Sequence, residues 1–218
     1  MRTRVDAVLF DLDGTLVATM QPWDRCWADS AAPHGHTWTD DDRRGTHGHG
    51  DWSHHLARVC GNLPAAQVAE DCVDLMIAEI RTGSVDLVPG ADALPAIAAD
   101  AAATGLVSAS PRRFVHAALA HFGLRGHFRT VVTREDQAET KPHPAPYLHA
   151  ARRLGVAPGH CLAVEDSAAG IRSAHAAGMS VRAVPRWAPE HRPPELDLAT
   201  HHAPDGAAAR RWLSATLG

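Results

Sequence analysis

An apolar run that stops at two carboxylates constrains this chain more than any other feature. Ala7-Val8-Leu9-Phe10 shows no polar alternation, and so reads as a strand buried on both faces, the kind found in parallel sheets covered by helices. It ends at Asp11, a second acid follows at Asp13, and Gly14 lets the backbone turn sharply. In an open α/β sheet, ligands bind just beyond the C-terminal ends of the strands. Two acids placed there repel one another unless a cation lies between them, and an all-oxygen site suits Mg²⁺. One carboxylate is then free to attack a phosphoryl group while the other moves protons.

After Val17 the pattern turns helical as far as Ser84. Trp23 and Trp27 fall on one predicted helix that ends before Pro33-His34-Gly35, and two more cover Asp51–Cys60 and Ala65–Ile80. From Val88 helices and short apolar strands alternate: helix to about Asp100, strand Ala102–Val107, helix Arg112–Phe122, strand Thr130–Thr133, helix Pro144–Leu154. Strand Cys161–Val164, helix Ala168–Ala177 closed by Gly178, and strand Val181–Val184 complete the series. A long loop is expected over Pro185–Pro204 and a closing helix over Ala207–Leu217. Repeated β-α units predict an α/β fold, a Rossmann-like doubly wound parallel sheet. The expected division is a core of residues 1–17 plus 85–218, with 18–84 as an inserted α-helical cap.

Four polar sites fall at or just past predicted strand ends: Asp11 with Asp13, Ser108, Lys141, and Glu165 with Asp166. A bare Asp-x-Asp is more often a pair of solvated acids. Four such sites on one edge of a parallel sheet converge, and that convergence favours chemistry. Ser110 is expected to cap the next helix with Pro111 at its first position, and the amides of a helix start suit phosphate. Of the 21 basic Lys and Arg residues only Lys141 is a lysine, a compact ammonium where the rest of the chain uses guanidinium.

The run Phe10-Asp11-Leu12-Asp13-Gly14-Thr15-Leu16-Val17 resembles the first motif of the haloacid dehalogenase-like (HAD) hydrolase superfamily. Lys141-Pro142-x-Pro144-x-Pro146-Tyr147 and Val164-Glu165-Asp166-Ser167-x-x-Gly170 are similar to its sugar- and polyol-phosphatase and β-phosphoglucomutase branch, and the helical insert resembles that branch's C1 cap. The resemblance implies Asp11 as nucleophile, Asp13 as general acid/base, Ser108 as the second-motif hydroxyl and Lys141 as the third-motif lysine. It implies Mg²⁺ held by Asp11, the backbone carbonyl of Asp13, Asp166, and Glu165 directly or through water. Gly14, Thr15, Ser108, Ala109, Ser110 and Lys141 are the implied phosphate contacts. In the cap, Arg43-Arg44-Gly45-Thr46-His47-Gly48 reads as a mobile loop whose Arg44 and His47 face an anionic substrate.

The implied reaction is Mg²⁺-dependent hydrolysis of a small phosphate monoester, a sugar or polyol phosphate, through an aspartyl-phosphate. A β-phosphoglucomutase-like mutase and a non-catalytic phospho-ligand binder are the alternatives. That mutase carries a histidine ten residues after its second aspartate, where this chain has Trp23. Dehalogenases lack the second aspartate, and phosphonatases use a cap lysine absent here. The chain departs from family habit at Ala18, where an acid is common, and at Thr140, where glycine is usual.

A net charge of −4 gives no electrostatic case for nucleic acid or an anionic membrane. No apolar run approaches the roughly 20 residues of a membrane span, nor does the N-terminus look like a signal peptide. Cys26, Cys60, Cys72 and Cys161 lack metal-site spacing, and a cytoplasmic enzyme, monomer or weak homodimer, is expected. The six cap histidines, including His47, His49, His54 and His55, read as a solvated polar face.

Overall fold

The computed structural model describes residues 4–46, 51–184 and 192–217. Six strands form one parallel sheet: β1 Ala7–Phe10, β2 Ala103–Val107, β3 Thr130–Val132, β4 Cys161–Glu165, β5 Ser180–Ala183 and β6 His201–His202. Their order is β3-β2-β1-β4-β5-β6, with β1 in the middle. Ala7 pairs with Ala103 on one side and Cys161 on the other, and Phe10 with Leu106 and Val164.

Both faces of β1 are buried, which is why its sequence does not alternate. Ala7 and Leu9 pack with Val107, Tyr147, Ala150 and Ile171, under α7 (Ala145–Leu154) and α8 (Ala168–Ala176). Val8 and Phe10 pack with Leu94, Phe114, Leu119 and Leu213 under α5 (Leu94–Ala101), α6 (Arg112–His121) and α9 (Gly206–Leu217). The sheet is doubly wound as expected. The expected loop over Pro185–Pro204 contains instead a short 3-10 turn, Pro194–Leu198, and β6, although 185–191 lie outside the described residues. β6 is two exposed histidines long, too short for any periodicity to reveal it.

Between β1 and α5 the described residues form four α-helices: α1 Met20–Ala31, α2 Asp40–Thr46, α3 Trp52–Val59 and α4 Ala65–Arg81. The chain leaves and returns side by side, with Val17 bridging Leu87, the Ala18 amide donating to the Asp86 carbonyl, and the Val88 amide to the Leu16 carbonyl. Three indoles fill the interior of this insert. Trp23 stacks on Trp27 at 5.6 Å, and Trp52 closes on both at 5.3 and 5.6 Å.

Helix α2 departs from expectation. Arg43, Arg44, Gly45 and Thr46 form its last turns where a mobile loop is expected. Asp42 explains the ordering. It is buried, and its Oδ2 accepts from the Thr39 amide (2.8 Å), the Thr39 hydroxyl (2.6 Å) and His36 Nε2 (3.0 Å), while Oδ1 bonds His55 Nε2 (2.6 Å). Thr39 and Asp42 form a local cap, and of the histidines expected on a solvated face His55 ties it to α3 while His36 holds it to the segment before α2.

Candidate active site

β1 ends at Asp11, whose amide continues the ladder by donating to the Val164 carbonyl at 3.0 Å. The chain then turns at Gly14 with φ +85°. A Cβ there would lie 2.2 Å from Asp166 Oδ2, so the position needs glycine for both its conformation and its space. Three carboxylates meet under this turn. Asp11, Glu165 and Asp166 are buried and each offers an oxygen within 4.8 Å of the others.

One cation stands against them. Lys141 is 2% exposed, and its Nζ donates to Asp11 Oδ1 at 2.6 Å, Glu165 Oε1 at 2.5 Å and the Val107 carbonyl at 2.9 Å. The Tyr147 hydroxyl also donates to Glu165 Oε1, at 2.8 Å. Glu165 Oε2 accepts from the amides of Asp166 and Ser167 and from the Ser167 hydroxyl, at 3.1–3.2 Å. Both oxygens of Glu165 are thus spoken for. Gly170 makes room, since a Cβ there would fall 1.9 Å from Glu165 Oε1.

Burial alone would push the Lys141 ammonium toward its neutral form, but Asp11 and Glu165 outweigh it and hold its pKa above the ordinary lysine value. Burial drives the Asp11 carboxyl well above its usual range; Lys141 works against that, and Glu165, Asp166 and Asp13 add to it. One ammonium among these acids leaves surplus negative charge. Asp11 Oδ2 is moreover buried with no hydrogen-bond partner. A buried, unsatisfied carboxylate oxygen is costly, and hard oxygen donors with excess negative charge fit a divalent cation such as Mg²⁺.

Asp13 is held from two sides. Its Oδ1 accepts from the Thr19 hydroxyl at 2.7 Å and Trp23 Nε1 at 3.1 Å, and its Oδ2 from the Ser110 hydroxyl at 2.7 Å and Ser108 at 3.2 Å. The expected cap at Ser110 is not formed: α6 begins one residue later, with Pro111 as its N-cap. The amide of Arg112 is taken by the Glu135 carboxylate at 2.9 and 3.0 Å, so that end of the helix is partly closed to an anion. Ser108 Oγ accepts from the Ser110 amide at 3.0 Å, spanning Ala109. Thr15 is buried, its hydroxyl 3.3 Å from Asp166 Oδ1.

The structure therefore brings Asp11, Asp13, Gly14, Thr15, Ser108, Ser110, Lys141, Glu165 and Asp166 together. Arg44 is not among them. It is exposed on α2 and paired with Asp41. His47 lies outside the described residues. Sequence reasoning missed Thr19 and Trp23 as partners of Asp13. They are four residues apart, one helical turn, with the Trp23 amide bonded to the Thr19 carbonyl at 2.9 Å, and that spacing was the available signal.

The chain has recognisable relatives. It is similar to hexitol phosphatase B of Escherichia coli, 34% identical over 192 residues and covering 84% of each chain. Hexitol phosphatase A of the same organism is 32% identical over 198 residues, 91% of each. Among solved structures, CbbY from Rhodobacter sphaeroides in complex with phosphate superposes with a TM-score of 0.81 at 27% identity, over 93% of this chain and 95% of that one. The family model for haloacid dehalogenase-like hydrolases matches residues 5–178; with the carboxylate turn and its lysine in place, the chain belongs to that family.

Proposed function

We propose that this hydrolase is a Mg²⁺-dependent phosphatase acting on a small phosphate monoester, a sugar or polyol phosphate, through an aspartyl-phosphate on Asp11. The observation that carries the reading is Asp11 itself. One of its oxygens is held by Lys141, the other is buried without a partner, and Asp13 stands two residues away on donors of its own. A binding module has no use for that second carboxylate. The hexitol phosphatases among the relatives favour the polyol or sugar class.

Asp11 and Asp166 would hold the metal with the backbone carbonyl of Asp13, while Glu165, saturated by donors, fixes Lys141 beside them. When bound, Mg²⁺ neutralises charge on the phosphoryl oxygens and on Asp11. Asp11 attacks phosphorus, and Asp13 protonates the departing alcohol oxygen. Asp13 then takes a proton from water as that water attacks the aspartyl-phosphate, which returns Asp11 as carboxylate and releases phosphate. Lys141 offsets the charge that gathers on Asp11 and the phosphoryl group. Ser108 and the Ala109–Ser110 backbone cradle the phosphoryl oxygens beside Gly14 and Thr15. Residues 18–84 act as the cap and 1–17 with 85–218 as the core. All these side chains come from one chain, so a monomer suffices.

The test is phosphate release from a panel of sugar, polyol and nucleotide monophosphates, with Mg²⁺ and with EDTA. Turnover of one class that EDTA abolishes and Asp11→Asn removes is expected. Well-folded protein that turns over none of them would sink the reading.

A further inference from the structure

We propose that Trp23 sorts the two oxygens of Asp13, holding Oδ1 as a permanent acceptor so that the transferable proton resides on Oδ2. The proposal rests on the reading of Asp13 as the acid/base. It concerns which atom carries the proton and what enforces the choice.

Four donors converge on this carboxylate, but they are not equivalent. An indole N–H can only donate, whereas a hydroxyl donates or accepts by rotating. Trp23 Nε1 lies 3.1 Å from Oδ1, and a proton on Oδ1 would set two hydrogens against each other. Oδ2 meets only the hydroxyls of Ser108 and Ser110, either of which can turn to accept. Oδ2 is also the oxygen on the side of the proposed phosphoryl cradle. Thr19, the second donor to Oδ1, is a hydroxyl as well, which leaves Trp23 as the selecting group.

The indole cannot step aside. Trp23 is 3% exposed and wedged between Trp27, Trp52 and Phe114, its ring centroid 5.6, 5.3 and 5.1 Å from theirs. Trp27 and Trp52 belong to the cap and Phe114 to α6 of the core. Trp23 thus carries a cap helix into contact with both Phe114 and Asp13. It is a positioning residue: it acts through Asp13.

In the step concerned, a bond forms from an Asp11 oxygen to phosphorus and the bond from phosphorus to the ester oxygen breaks. The Oδ2 proton goes to that leaving oxygen. An alkoxide needs the proton to depart, whereas p-nitrophenolate leaves without it. The value of kcat/KM reports this first half-reaction, and the ratio of two substrates on one preparation is independent of how much of the protein is active.

The experiment compares kcat/KM for p-nitrophenyl phosphate and for the fastest alkyl phosphate of the panel above. Trp23→Phe keeps an aromatic ring in the cluster and loses the N–H together with the five-membered ring. It is expected to lose about tenfold or more on the alkyl ester and less than about threefold on the aryl ester, because the proton is then free to sit on Oδ1 and donate to the Thr19 hydroxyl, away from the leaving oxygen. Equal loss on both esters, or none on either, overturns the proposal. Thr19→Val, which spares the indole, is expected to lower both esters by the same factor; an alkyl-selective loss there would overturn it too. If the wild-type protein turns over no ester at all, the phosphatase reading fails instead.

Discussion

At the scale of single residues, the site is a problem of surplus negative charge that a bound cation would resolve. Asp11→Asn removes the proposed nucleophile, and phosphate release is expected to fall by about a thousandfold or more. The same substitution should not destabilise the metal-free protein. A carboxyl whose folded pKa lies above its unfolded one gives stability that is present at low pH and lost as pH rises through the folded value. Asp11 is such a group, so at neutral pH its charge is a burden. The melting temperature of metal-free Asp11→Asn should equal or exceed that of the wild type, and added Mg²⁺ should raise the wild type alone. Lys141→Met behaves oppositely, because it strips the donor from two buried carboxylates; a loss of about 3–5 kcal/mol in denaturant titration is expected. The motif residues were legible because strand ends on one parallel edge must converge. Trp23 was not, because its role depends on where an indole N–H points, and a sequence reports only that a large ring is packed.

At the scale of elements, the first five strands and most helices follow from apolar runs, prolines and glycines, with bounds within a few residues. Helix α2 does not, since its sequence Asp-Asp-Asp-Arg-Arg-Gly-Thr has no apolar stripe to read. It is fixed by one polar knot at Asp42, whose partners His36, Thr39 and His55 come from outside the helix. His55 is itself constrained. Its Nε2 serves Asp42 at 2.6 Å while its Nδ1 faces Arg58 at 2.7 Å. Burial raises the Asp42 pKa, but the Thr39 side chain and amide, His55 and His36 together hold it below the usual carboxylate range. Its contribution is therefore present above a pH of about 4, the unfolded value, and lost as pH falls through the folded one. Asp42→Ala is expected to cost about 2 kcal/mol and to speed amide exchange in α2 and α3 while leaving β1 and β4 protected. Uniform acceleration across the sheet would refute this local account.

At the scale of the molecule, the helical insert and α6 meet through Trp23 and through a polar clasp further out. Arg113 of α6 reaches α4, bonding Asp74 at 2.7 Å and the Glu70 carboxylate at 3.0 Å, with the Glu70 carbonyl at 3.2 Å. All three side chains are about half exposed or more, so the clasp is worth about 1 kcal/mol or less and weakens with salt. Arg113→Ala should lower stability in denaturant titration by about 1 kcal/mol or less, and 0.5 M salt should narrow the gap between variant and wild type. The strand order has a consequence for synthesis on the ribosome. β1 leaves the ribosome first, yet its two neighbours in the sheet are β2 and β4. The strand bearing Asp11 has no partner until β2 follows the helical insert, its other edge stays open until β4 is made, and the buried charges meet only once Glu165 has emerged. Contacts of such long sequence separation close late and slowly. Until then the nascent chain must shield a sticky central strand it cannot yet use.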